Sequence, residues 1–231
     1  MSKELEGFIR ESSDRSIRNQ KQFKVFGAVD LFIKDPLPKN INIVKVIKKV
    51  EEKIPFQIVS EVEAFYVGRF KEFEDMQVNA MYRDGAVFVS NDQDDDADMI
   101  DDLIHELAHA AEEIYAREIY SDNKVQQEFL GKRRRLRDLL RNYGYLDGKD
   151  IPFSEVEYSK KLDDFLYKDL GYEKLETFCS GLFIRPYAVT SIREYFATAL
   201  EHYLLEDPTY LKRLSPAVYR KVAMICNMEE V

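Results

Sequence analysis

The run ADMIDDLIHELAHAAEEIYAREIY, Ala97 to Tyr120, decides the architecture. It reads as one long amphipathic helix. The chain has three histidines, and two of them, His105 and His109, stand here four residues apart. Positions i and i+4 share a helix face, so both imidazoles can reach one metal ion from one side. Glu106 lies between them, offset so that it meets a metal-bound water rather than the metal. This is the H-E-x-x-H pattern, in which two histidines bind zinc and the glutamate acts as general base. Asp98, Asp101 and Asp102 crowd the first turns, where negative charge complements the helix dipole. Glu112 and Glu113 follow His109 and read as exposed acids.

N-terminal to this helix the pattern is mixed. Residues 1–22 are polar and charged and read as an arm. Phe23 to Ile33 is aromatic and β-branched, which predicts a strand, stopped by Asp35-Pro36-Leu37-Pro38. Ile41 to Ile54 carries Ile43, Val44, Val46, Ile47 and Val50 at helical spacing. Val62 to Phe70 predicts a second strand. Met76 to Tyr82 and Ala86 to Ser90 predict two more, joined by Arg83-Asp84-Gly85, a strong hairpin signal. The expected order is β-α-β-β-β. The Asp92-x-Asp94-x-Asp96 spacing resembles a calcium loop, but Ala97 stands where that loop needs glycine and Leu103 where it needs glutamate. These carboxylates read as solvated helix-entry residues.

C-terminal to it the chain reads as helical. Residues 124–142 form a basic helix with Lys132, Arg133, Arg134, Arg135, Arg137 and Arg141, read as a solvated face. Residues 150–175 read as partly helical and 176–190 as an irregular connection. Ser191 to Leu205 predicts a strong helix. Asp207-Pro208 opens a last helical region, interrupted at Ser215-Pro216. The expected division is an arm over 1–22, an α+β half over 23–120 that contains the H-E-x-x-H helix, and a helical half over 121–231. The two halves are expected to act as one catalytic unit.

The 231 residues are 45% hydrophobic, enough for a sizeable core, and carry a formal net charge of -9. That charge argues against nucleic-acid binding, which needs cations to displace counterions. Cys179 and Cys226 lie far apart and suit buried thiols in a reducing compartment. The first residues show no apolar signal-peptide core, and no apolar run approaches the length of a membrane span. The expected location is the cytoplasm.

A catalytic zinc takes three protein ligands and keeps one position open. No H-x-x-G-x-x-H continuation follows His109, which excludes the metzincin pattern. Glu194, Glu201 and His202, on the helix after Ser191, remain as candidates for the third ligand, and propensity does not choose among them. The segment Glu194-Tyr195-Phe196-Ala197-Thr198-Ala199, with Tyr187 seven residues before it, resembles the metal-binding segment of the family that contains the catalytic domain of anthrax lethal factor and the secreted Pro-Pro endopeptidases. His105 to Ala110 matches that family's H-E-x-x-H-A. The resemblance covers about residues 60–205.

The resemblance implies an α+β, zincin-like fold, with a small mixed sheet whose edge strand packs on the H-E-x-x-H helix. It implies one Zn²⁺ held by His105, His109 and Glu194, Glu106 as general base, and Tyr187 directing its hydroxyl at the reacting carbonyl. The implied activity is that of a gluzincin-type zinc endopeptidase acting on a peptide or protein substrate. The family often has an acid four residues after the ligand glutamate, where it orients a zinc-binding histidine. Thr198 stands there in this chain, with Glu201 as a substitute. Val78-Asn79-Ala80-Met81-Tyr82 resembles the edge strand of thermolysin-like enzymes, which makes Asn79 and Ala80 substrate-binding candidates. The alternative is a zincin-fold protein that binds a partner or holds zinc structurally, with little or no proteolysis.

Overall fold

The computed structural model describes residues 21–76 and 78–228. The chain divides into two compact units, one up to Ala110 and one from Ala111. The boundary falls inside the long helix. The arm expected over 1–22 lies outside the described residues as far as residue 20, and residues 21 and 22 belong to the first strand.

The first unit is α+β. Strands β1 (Lys21–Val25) and β2 (Val29–Ile33) form an antiparallel hairpin with Val25 opposite Val29. The single strand expected over 23–33 is thus two. Phe26 and Gly27 both take positive φ, 48° and 75°, and reverse the chain. Glycine adopts that conformation at no steric cost, whereas the apolar pattern runs on through the turn and hides it. Helix α1 (Ile43–Lys53) starts where Asn42 accepts the Lys45 N–H through its side chain and buries Val46, Ile47 and Val50. Pro55 excludes the helical conformation from the residue before it, and the short α2 (Phe56–Val59) follows.

Strand β3 (Ala64–Gly68) leads into α3 (Lys71–Met76), a helix not expected from the sequence, which takes in Met76, the first residue of an expected strand. Strand therefore begins at Ala80 and not at Met76. Strands β4 (Ala80–Arg83) and β5 (Ala86–Ser90) form the expected hairpin, with Asp84 at φ 50° and Gly85 at φ 77°. The mixed sheet runs β1-β2-β3-β5-β4, with β3 parallel to both β2 and β5. Leu31, Ile33, Phe65, Val67, Val87 and Val89 bury one face. Phe32, Tyr66 and Phe88 stack in register on the other, with ring centroids 5.2 and 5.1 Å apart. Strand β4 is an edge.

Helix α4 (Asp96–Tyr120) carries the H-E-x-x-H residues. Asp95 opens it by accepting the Ala97 and Asp98 amides. Asp96 accepts the Asn42 amide and pairs with Lys45, so its carboxylate is bound to the first turn of α1. Met99, Leu103, Ile104, Leu107 and Ala108 are fully buried, the apolar stripe the sequence predicts.

The second unit is helical. Helix α5 (Lys124–Asn142) has the expected bounds. Helix α6 (Lys160–Asp164) passes into a π-helical turn, Phe165–Leu170, and α7 (Tyr172–Cys179) occupies part of the stretch expected to be irregular. A 3₁₀ turn, Pro186–Val189, precedes α8 (Ile192–Leu205), and α9 (Pro208–Leu214) and α10 (Pro216–Cys226) end the unit. Glu128 ties this unit together, accepting the Tyr195 hydroxyl and the Ala217 and Val218 amides at the start of α10.

The basic helix is not a solvated face throughout. Lys132 and Arg133 are buried. Lys132 donates to the carbonyls of Leu182 and Leu214, and Arg133 to those of Glu155 and Pro152. Burial pulls the Lys132 ammonium down to about 8 and the Arg133 guanidinium down to about 10. Buried charges persist only where hydrogen bonds replace lost water, and here they satisfy the carbonyls of loops and a helix end. Cys179 and Cys226 are both free thiols, pushed up to about 12 by burial. Among the described residues no helix is long and apolar enough to cross a membrane.

Candidate metal centre

The H-E-x-x-H residues lie on α4, beside a neighbouring strand. His105 and His109 are half-buried, with ring centroids 5.0 Å apart, and Glu106 is buried. The Tyr82 amide donates to Glu106 Oε2 at 2.6 Å. This contact brings the edge strand β4 onto the H-E-x-x-H helix. The hairpin register explains why that amide is available. Arg83 pairs with Ala86, Met81 with Phe88, and the Ser90 amide donates to the Asn79 carbonyl. Because an antiparallel ladder alternates, Ala80 and Tyr82 turn their backbone groups away from β5, toward the unpaired edge. Asn79 is exposed, and its carbonyl is taken by Ser90.

Glu194 lies at the start of α8, in the second unit. Ser191 is its N-cap and accepts the Glu194 amide at 3.1 Å. The Ile192 amide donates to the Val156 carbonyl. Ser191-x-x-Glu194 is a capping-box spacing, a signal in the sequence that fixes where this helix begins. Glu194 is half-buried. Tyr187 sits in the 3₁₀ turn, 44% exposed, and its carbonyl accepts the Thr190 amide and hydroxyl. Arg185, just before that turn, pairs with Glu201 at 2.7 Å. Glu201 and Thr198 are both buried.

One cluster of three metal-ligating side chains occurs among the described residues: His105, His109 and Glu194, whose ligand atoms all lie within 4.8 Å of one another. Neither Glu201 nor His202 joins it. Zn–N and Zn–O bonds of about 2.0–2.2 Å put ligand atoms of a tetrahedral site roughly 3.4 Å apart. The group is spread more widely than a tetrahedral zinc site, within 4.8 Å. Two imidazoles and one carboxylate suit zinc chemically.

Glu112 differs from its sequence reading. It is buried, whereas Glu113 is exposed. Tyr120 donates to Glu112 Oε1 at 2.6 Å, and Arg193 pairs with Oε2 at 3.0 Å. Burial, then the Glu112 charge and hydrogen bond, raise the Tyr120 phenol above its ordinary range. Burial acts to lower the Arg193 guanidinium, but the Glu112 hydrogen bond and charge outweigh it and raise it. A clue was present in the spacing. Glu112 is seven residues past His105, so it lies on the histidine face and not on the solvent face.

No family model, curated protein or solved structure matches the chain.

Proposed function

We propose that the chain is a zinc-dependent endopeptidase of the gluzincin type with a zincin-like fold. The observation that carries this reading is the grouping of His105, His109 and Glu194 within 4.8 Å. A buried glutamate, Glu106, stands on the same helix between the histidines.

In this reading the three side chains hold one Zn²⁺. The ion, when bound, supplies Lewis-acid polarisation of the scissile carbonyl and lowers the pKa of water. The chain's own residues do the rest. Glu106 takes the proton from the attacking water and passes it to the leaving amine. The Tyr82 amide fixes its carboxylate at Oε2. The Tyr187 hydroxyl donates to the oxyanion that develops on the carbonyl. The outward backbone groups of Ala80 offer an extended peptide a strand partner, with Asn79 beside it. Thr198, or Glu201 in its place, orients a zinc-binding histidine from α8, and Glu201 pairs with Arg185. The substrate is a peptide or protein, and the free thiols fit a reducing compartment such as the cytoplasm.

The test is a cleavage profile on a peptide library with wild type and Glu106→Gln. Cleavage by wild type, loss of it with a zinc chelator and recovery on adding zinc support the reading. Zinc binding with no cleavage of any peptide favours a partner-binding or structural role instead. Full cleavage by Glu106→Gln overturns the mechanism.

A further inference from the structure

We infer that Glu112 and Arg193 are positioning residues that set the metal affinity of the site. This rests on the reading of Glu194 as a zinc ligand. Arg193 is the residue immediately before Glu194 in the first turn of α8. Glu112 is three residues past His109 on α4, about 4.5 Å further along the helix axis at 1.5 Å per residue. Both oxygens of its carboxylate are engaged, Oε1 by the Tyr120 hydroxyl and Oε2 by the Arg193 Nε. The Arg193–Glu112 pair therefore ties the turn that carries Glu194 to the part of α4 that lies in the second unit.

The pair is asymmetric in exposure. The Glu112 side chain is 6% exposed and the Arg193 side chain 52%. A buried carboxylate is costly without compensating partners, and Tyr120 and Arg193 supply them while Arg193 reaches outward. Two further contacts locate the same turn, the Ser191 cap on the Glu194 amide and the Ile192 amide on Val156. These fix where the helix starts. The Arg193–Glu112 pair links it to α4. Two arms are thus built into one helix face: histidines that touch the ion and, one turn on, a carboxylate that touches the ligand's neighbour. Groups hydrogen-bonded to the ligands themselves tune metal affinity by about 10–100-fold, and a clamp on the ligand's own turn acts on the same placement.

The experiment uses the whole chain as wild type, Arg193→Ala, Arg193→Lys, Glu112→Gln and Glu194→Ala. Zinc affinity is measured by competition with a chromogenic chelator. The visible spectrum of the cobalt(II)-substituted protein reports ligand geometry, and far-ultraviolet circular dichroism reports folding. Arg193→Ala and Glu112→Gln should each weaken zinc binding by about 10–100-fold and shift the cobalt bands, with the helical signal intact. Arg193→Lys should recover most of the affinity. Because Arg193 is half-exposed, Arg193→Ala decides the matter even if Glu112→Gln fails to fold. Wild-type affinity and an unchanged cobalt spectrum in Arg193→Ala, while Glu194→Ala loses zinc, overturn this inference and leave the function standing. Affinity lost only in proportion to lost helical signal also overturns it. A wild type that binds no zinc overturns both.

Discussion

Two glutamates on one helix face different partners, and the proposed mechanism gives them different tasks. Glu106, in the first unit, accepts a backbone amide from the edge strand β4. Glu112, in the second unit, accepts a guanidinium and a phenol. Charge-assisted hydrogen bonds from an arginine are stronger and more directional than one from a backbone amide, and Glu112 has such a bond to Arg193. In the proposed mechanism the amide-bound glutamate is the general base. The arginine-bound glutamate suits a fixed strut. Both are buried, and burial alone would not distinguish them.

The sharpest way to break the comparison is to remove each charge in turn. Glu106→Gln should retain zinc and lose about 10²–10⁴-fold in kcat, the usual worth of general acid–base catalysis. Glu112→Gln should instead lose zinc affinity and keep near wild-type kcat once zinc saturates it. Equal loss of kcat at saturating zinc in both variants would erase the distinction. Tyr187→Phe should cost about 10²–10³-fold in kcat with little change in KM, as expected for one donor to an oxyanion. An effect confined to KM would make Tyr187 a substrate contact only.

A smaller effect concerns stability in the second unit. Replacing Arg185 with Ala leaves Glu201 buried without its cation. Breaking a fully buried pair costs about 3–5 kcal/mol. Arg185 is 49% exposed, so solvent screening brings the expected loss in urea unfolding to about 1–2 kcal/mol. No measurable loss would mean that another group holds Glu201. The smallest effect is a pH slope. Burial lowers Lys132 from 10.5 to about 8, so between these values the unfolded chain binds more protons than the folded one. Stability then rises with pH across that window by linkage, and the contribution is constant below it. Lys132→Met should flatten this rise in urea midpoints measured at pH 8 and 10. An unchanged slope would assign it to other groups.

Much of the frame was legible in the sequence because the signals there are local. Helix α5 kept its bounds, and Asp84-Gly85 made the hairpin it announces. The Phe26-Gly27 turn escaped because phenylalanine is a poor advertisement for positive φ and the flanking strands share one apolar pattern. The α+β class followed from the order of elements. The candidate site divides in the same way. The histidine pair is a matter of helical period, whereas the choice of Glu194 over Glu201 and His202 depends on tertiary placement. Composition also misleads where a charged residue finds buried partners. Lys132 and Arg133 read as solvent-facing cations, and their partners are carbonyls 19 to 82 residues away. Glu112 was misread for the same reason, since its arginine lies 81 residues on.

The central claim is that His105, His109 and Glu194 hold one zinc ion. It is tested most directly by metal analysis of purified wild type and Glu194→Ala after equilibration with zinc and removal of the excess. The account predicts one zinc per chain in wild type and none retained by Glu194→Ala, with Glu201→Ala close to wild type. Zinc retained by Glu194→Ala and lost by Glu201→Ala, or a wild type that retains none, would contradict it.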